Sequence, residues 1–181
     1  MERNGISVDQ LTGTVEAVKA QPELARFQFR SKTTWAGGGH SEARIQSFYG
    51  TGHEDSSRGE PFVIVSDEPP VLLGTDYGPN AVELVLAALA SCLTVGIVYS
   101  AAANDITIQE LTLTLEGDLD LHGFLGLSET IRPGYEAIRV RYHIVSNASE
   151  EQLDDLVAHA KATSPVLDIV RNPVPVTFIA D

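Results

Sequence analysis

Hydrophobic positions change their period several times along the chain, and each change marks an element. Val8, Leu11, Val15 and Val18 recur at helical spacing behind the capping-box pattern Ser7-Val-Asp-Gln10, until Gln21-Pro22 stops them, so an amphipathic helix is predicted near the N-terminus. From Arg26 to Trp35 apolar and polar residues alternate, which predicts a strand with one solvated face. Gly37-Gly-Gly39 then predicts a turn and Glu42 to Tyr49 a second strand hairpinned to the first. Residues 50–60, with His53-Glu-Asp-Ser-Ser-Arg-Gly59, read as a polar loop, and Pro61 to Val65 as a third strand.

The period is lost from Asn80 to Ala103, where apolar residues run all the way round a helical projection and the single charge is Glu83. A helix of this kind is expected to be buried on nearly every side. Its length of roughly 36 Å at 1.5 Å per residue would make it the axle of a small domain. Asn80 and Glu83 have N-cap and capping-box spacing, and Asn104-Asp105 breaks the pattern. The run is also long enough to cross a membrane. Its flanks carry acids and no Lys or Arg between Arg58 and Arg132, the reverse of the usual basic anchoring, so a core helix is the expectation.

Period two returns in Thr107 to Leu121 and again in Ile138 to Val145, two strands that should pair across the Gly123-to-Gly134 connection. Ser149-Glu-Glu-Gln152 opens a helix through about Ala162, and Ser164-Pro-Val-Leu-Asp-Ile-Val170 reads as a short helix with Ser as cap and Pro at its first position. Pro173 to Ile179 alternates like a last strand, placed at an edge by its prolines. The order of elements is α+β, in one domain over residues 1–181 with residues 1–24 as a helical extension.

A formal charge of −13 argues against a phosphate-binding or anionic-lipid surface, so neither nucleic acid nor membrane is an expected partner. The lone cysteine cannot form an internal disulfide and the first residues lack the form of a signal peptide; cytoplasm is the expected location. His53, His122, His143 and His159 have no ligand spacing, and neither metal nor other cofactor is expected. The acidic pairs Asp67-Glu68 and Glu150-Glu151 read as solvated turn and helix-start charges.

Three stretches together resemble the OsmC-like proteins: Gly78-Pro-Asn-Ala-Val-Glu-Leu-Val-Leu-Ala-Ala-Leu-Ala-Ser-Cys-Leu93, Gly123-Phe-Leu-Gly126 with Arg132-Pro-Gly-Tyr-Glu-Ala-Ile138, and Ser164-Pro-Val166 with Asn172-Pro-Val-Pro-Val176. The resemblance runs from about Thr33 to the C-terminus. It implies an OsmC-like fold and an intertwined homodimer, two long central helices wrapped by sheets with sites between subunits. Catalytic members of the family, the osmotically induced and organic-hydroperoxide-resistance proteins, reduce peroxides with two cysteines, the first polarised by an Arg and a Glu. Carried over by position, Cys92 matches the reactive cysteine. Ser164 stands where the second would be, Val82 where the Glu would be, and His40 after Gly38-Gly39 where the Arg would be, with Arg44 nearby as a substitute.

A cysteine reacts as its thiolate, which needs a cation, a helix N-terminus or a hydrogen-bond donor. Cys92 lies too deep in its helix to gain much from the N-terminal dipole. Val85, Ala88, Gly96 and Tyr99 share its face and Glu83 lies opposite, so activation must come from elsewhere, with His40, Arg44 and Arg58 as candidates in that order. Two functions follow. One is reduction of organic hydroperoxides through Cys92 with an external thiol as reductant. The other is a non-catalytic dimer that binds a small apolar ligand beside Val82, Val85 and Tyr99. Cys92 itself also reads as a small buried hydrophobe, and Ser164 as an N-cap.

Overall fold

A computed structural model describes residues Met1–Ala180. An Asn4-Gly5 turn, both residues at positive φ (51° and 74°), joins β1 (Glu2–Arg3) to β2 (Ile6–Ser7), a hairpin the hydrophobic pattern does not reveal. Helix α1 (Val8–Ala20) follows and ends before Pro22, as predicted.

The predicted strand from Arg26 to Trp35 is shorter than its alternation suggests: β3 is Lys32–Gly37. Ahead of it the chain makes an isolated bridge from Gln28 to Tyr49. Phe27 stacks there on Phe29 and on Phe48, and Phe29 meets Phe48 tilted by 34°, with centroids 5.5–6.3 Å apart. Strand β4 (His40–Ile45) pairs antiparallel with β3 and, on its other side, with β7 (Phe62–Ser66). Between them, β5 (Phe48–Gly50) and β6 (His53–Asp55) form a separate hairpin where a polar loop was expected. Thr51 and Gly52 (φ 50° and 84°) supply its two-residue turn.

Helix α2 runs Ala81–Ala103. The capping box forms in both directions: the Asn80 amide donates to Glu83 Oε2 and the Glu83 amide to Asn80 Oδ1, each at 2.9 Å. The helix stops at Asp105 (φ 67°), where the Ile106 amide returns to the Ala101 carbonyl at 2.9 Å. Strands β8 (Ile108–Asp118) and β9 (Ala137–Ser146) pair antiparallel as predicted, around a connection that holds the short α3 (Leu121–Phe124). Within it Gly123 passes under Arg132, so close that a Cβ would lie 2.3 Å from the Arg132 carbonyl oxygen. Helix α4 (Glu150–Thr163) carries the Ser149–Gln152 capping box, and α5 (Pro165–Arg171) follows directly. Residues 173–180 form no strand: Pro173 and Pro175 lack the amides a ladder needs, and the apolar alternation there is left exposed.

The chain divides into two compact units, Asp9–Leu84 and Met1–Val8 with the chain from Val85 onward. In the first, β4 is the middle strand of the β3-β4-β7 sheet. In the second, Ala101, Ile106 and Leu156 form the core, joined by Ile108, Ala148 and Leu153. Asn4 clamps the N-terminal hairpin to the turn after α2, donating to the Ile106 carbonyl at 2.9 Å and accepting from the Ile108 amide at 3.0 Å. The outer face of the β8–β9 pair is a charge ladder, with Arg139 on Glu116 and Asp118 and Arg141 on Glu116.

Burial of α2 departs from expectation. Leu89, Leu93, Ile97, Ala101 and Ala102 are buried, one stripe rather than the whole circumference, while Val85, Val95 and Tyr99 are 39–48% exposed. The helix meets the length and apolarity test of a membrane span. Its buried stripe faces α4, with Gly96 so close that a Cβ there would sit 3.2 Å from the Ala160 Cβ.

Candidate active site around Cys92

Seventy-two residues apart in sequence, Cys92 and Ser164 meet in the second unit. The Ser164 hydroxyl donates to Cys92 Sγ over 3.2 Å. Its position follows from local rules: α4 ends at Thr163, Pro165 starts the next helix without needing an amide partner, and Ser164 sits between them in extended backbone as N-cap of α5. The Leu167 amide donates to Ser164 Oγ at 3.1 Å. With an oxygen lone pair committed to that amide, the hydroxyl proton is free to turn toward sulfur. Ser164 is 6% exposed and Cys92 partly exposed.

The thiol opens into a cleft whose one wall is α2, with Ala88, Ser91, Val95 and Gly96, and whose other is the α4–α5 corner, with Thr163, Pro165 and Val166. Among the described residues no charged side chain lines it. Of the helix positions on the cysteine's face, Ala88 and Gly96 line the cleft, whereas Val85 and Tyr99 lie two turns away in either direction and are exposed. Val82 is half-buried in the first turn of α2, where it brings no carboxylate.

The candidate activating groups belong to the other unit. His40 opens β4; its Nε2 is buried without a hydrogen-bond partner among the described residues, and its ring lies 5.2 Å from that of Tyr77. Arg44 is exposed and donates to Glu42 at 3.2 Å. Arg58 spreads over Phe48 and Phe62, 5.0 and 5.2 Å from their ring centroids, and donates to the Gln46 carbonyl at 3.0 Å.

That unit also holds a polar centre the sequence reading missed. Asp67, expected as a solvated turn charge, is 2% exposed. Its carboxylate accepts from the Thr75 hydroxyl at 2.6 Å and from the amides of Glu68, Thr75 and Tyr77 at 2.8–3.3 Å, tying the loop after β7 into a knot. The Thr75 hydroxyl, then the amides, hold its carboxyl down at about 2 against an ordinary 3.8. Asp followed by Pro69-Pro70 and, eight residues on, by Thr75 was the available signal.

A family model described as OsmC-like protein matches residues 74–179. Among solved structures, the OsmC-like protein of Mycoplasma pneumoniae is 18% identical, with a TM-score of 0.61 over 81% of this chain and 89% of that one. The organic hydroperoxide resistance protein OsmC of Legionella pneumophila is 18% identical, with a TM-score of 0.54 over 78% and 89%. An organic hydroperoxide resistance protein of Elizabethkingia anophelis is 17% identical, with a TM-score of 0.53 over 81% and 91%. At these identities the likeness is one of fold. No curated protein matches the sequence. The match over more than half of the chain, which includes α2 and its cysteine, places this protein in the OsmC-like family.

Proposed function

We propose that this protein reduces organic hydroperoxides through Cys92, with Ser164 as hydrogen-bond donor to the sulfur and a small external thiol as reductant. The observation that carries the reading is the 3.2 Å contact between Ser164 Oγ and Cys92 Sγ beside an open, uncharged cleft. In the first step the thiolate attacks the distal oxygen of the hydroperoxide, the O–O bond breaks, and the alkoxide leaves and takes up a proton as the alcohol. Sulfur is oxidised to a sulfenic acid. The Ser164 hydroxyl supports the thiolate without being consumed. One external thiol then condenses with the sulfenic acid, releasing water and leaving a mixed disulfide; a second thiol breaks it and restores Cys92. The sequence has no second cysteine to take the first thiol's place. A reducing cytoplasm supplies such thiols.

The exposed side of α2 supports a homodimer as the working form. Val85, Val95 and Tyr99 present an apolar stripe, and Val176, Phe178 and Ile179 are 71–95% exposed. Light scattering behind a sizing column should give the mass of two chains; one chain would remove this part of the reading.

The test of the chemistry is consumption of cumene hydroperoxide in the presence of dithiothreitol. Cys92→Ser should lower it to the buffer rate, and consumption unchanged in that variant would sink the proposal. Ser164→Ala should slow it while costing about 1 kcal/mol of stability as a lost N-cap. The cleft's apolar walls, Val95, Pro165 and Val166, favour a second reading as a ligand-binding dimer without catalysis. That reading requires a small apolar ligand to raise the melting temperature while Cys92→Ser leaves peroxide consumption unaltered.

A further inference from the structure

A second cavity, of about 330 Å³, lies beside the Cys92 cleft in the same unit. Leu93 and Ile97 of α2, Leu113 and Val140 of the β8–β9 pair, and Val157 of α4 make it apolar. The tight contact of Gly96 with Ala160 separates the two spaces: Gly96 lines the cysteine cleft and Ala160 the second cavity. Lys161 and Arg171 also line the cavity, together with Tyr142, whose ring is half exposed.

The charge here runs against that of the whole molecule. The chain carries −13, and many of its cations are spent on neighbours: Arg3 on Asp105, Lys19 on Glu16, Arg30 on Glu54, Arg44 on Glu42, and Arg139 and Arg141 on the outer ladder. Lys161 and Arg171 have no ion-pair or hydrogen-bond partner among the described residues, and no acidic side chain lines their cavity. Two unspent cations beside an apolar space select a ligand with an anionic head and an apolar body. The volume is at the small end of ligand pockets, which run from about 300 to 1,000 Å³. A guanidinium suits a carboxylate because its fork can meet both oxygens.

From this we infer that the cavity binds a small amphiphilic carboxylate of medium-chain length, its tail against Leu93, Ile97 and Val140 and its head between Lys161 and Arg171. This site is independent of the peroxide chemistry. It does share α5 with it, since Leu167 and Arg171 line the cavity and the same helix is capped by Ser164.

Calorimetric titration with octanoate tests the site, with 1-octanol matching the tail without the charge and acetate the charge without the tail. Octanoate should bind saturably at one site per chain, and the other two should fail to saturate over the same range. Lys161→Gln combined with Arg171→Gln should weaken octanoate by about tenfold or more, as expected for two lost charge-assisted contacts. Arg171→Lys alone should retain part of the affinity, and Cys92→Ser all of it. Both cations are exposed, so a melting curve checks that the double variant folds. The inference is overturned if octanoate fails to saturate the wild type, if 1-octanol binds as well, or if the double variant binds unchanged. None of these results alters the prediction for Cys92 and peroxide.

Discussion

Asp67 and Cys92 are both polar groups drawn inward and met by a hydroxyl, yet they are built to opposite ends. Asp67 accepts a hydroxyl and three amides and is closed to solvent; its charge is fully used in holding the loop from Glu68 to Tyr77. Cys92 meets the Ser164 hydroxyl at 3.2 Å, faces an open cleft and remains available to a third party. A saturated polar centre specifies structure, because any rearrangement strands a buried group at a cost. An unsaturated one beside a cavity leaves room for chemistry. Gly74 makes the same point about the first centre, since a Cβ there would lie 1.8 Å from the Glu68 carbonyl oxygen and the knot could not close.

The sharpest way to break the contrast is to close the open centre. Ser164→Cys places a second sulfur where the hydroxyl now touches Sγ. After one equivalent of cumene hydroperoxide that variant should lose both thiols to an internal disulfide, read as two hydrogen atoms lost by intact mass; a stable mixture of thiols and sulfenic acid would show that the two positions cannot bond.

Opening the closed centre comes next. The carboxyl of Asp67 titrates lower in the folded chain, at about 2, than its ordinary 3.8. The unfolded chain therefore binds its proton first, and the stability this group contributes is complete above about pH 4 and lost as pH falls toward 2. Asp67→Asn should lower the melting temperature at neutral pH and flatten its fall between pH 4 and 2; parallel curves for the two proteins would remove Asp67 as the acid-sensitive group.

A smaller effect tests the partition beside the open centre. Gly96→Val drives methyl groups into Ala160, which in a packed core costs about 1–3 kcal/mol. Urea denaturation should record that loss, and an unchanged midpoint would mean that α2 and α4 separate easily.

The sequence revealed those parts of the fold whose cause is local. The capping residues Asn80 and Ser149 and the period-two runs of β8 and β9 each act within a few residues, and the structure has them where the pattern placed them. The two small hairpins were legible in principle, through Asn4-Gly5 and Thr51-Gly52, but polar two-residue turns between very short strands carry almost no hydrophobic signal. The last strand failed for the opposite reason: Val174, Val176 and Phe178 alternate well, while Pro173 and Pro175 remove the amides that pairing needs. Asp67 was misread because its burial depends on amides of the far end of its own loop. At the candidate site, the family resemblance aligned Ser164 with a second sulfur position, and helical spacing put Ala88 and Gly96 beside Cys92. That hydroxyl and thiol actually touch is a tertiary fact, fixed by where α4 ends, and no spacing along the chain encodes it.

Intact mass of the reduced protein after brief exposure to one equivalent of cumene hydroperoxide, with dimedone present, tests the central claim most directly. The account predicts rapid gain of one dimedone adduct per chain in the wild type and none in Cys92→Ser. A wild-type protein that stays unlabelled while a free thiol of small size is oxidised in the same tube would contradict it, leaving Cys92 a packing residue under a serine cap.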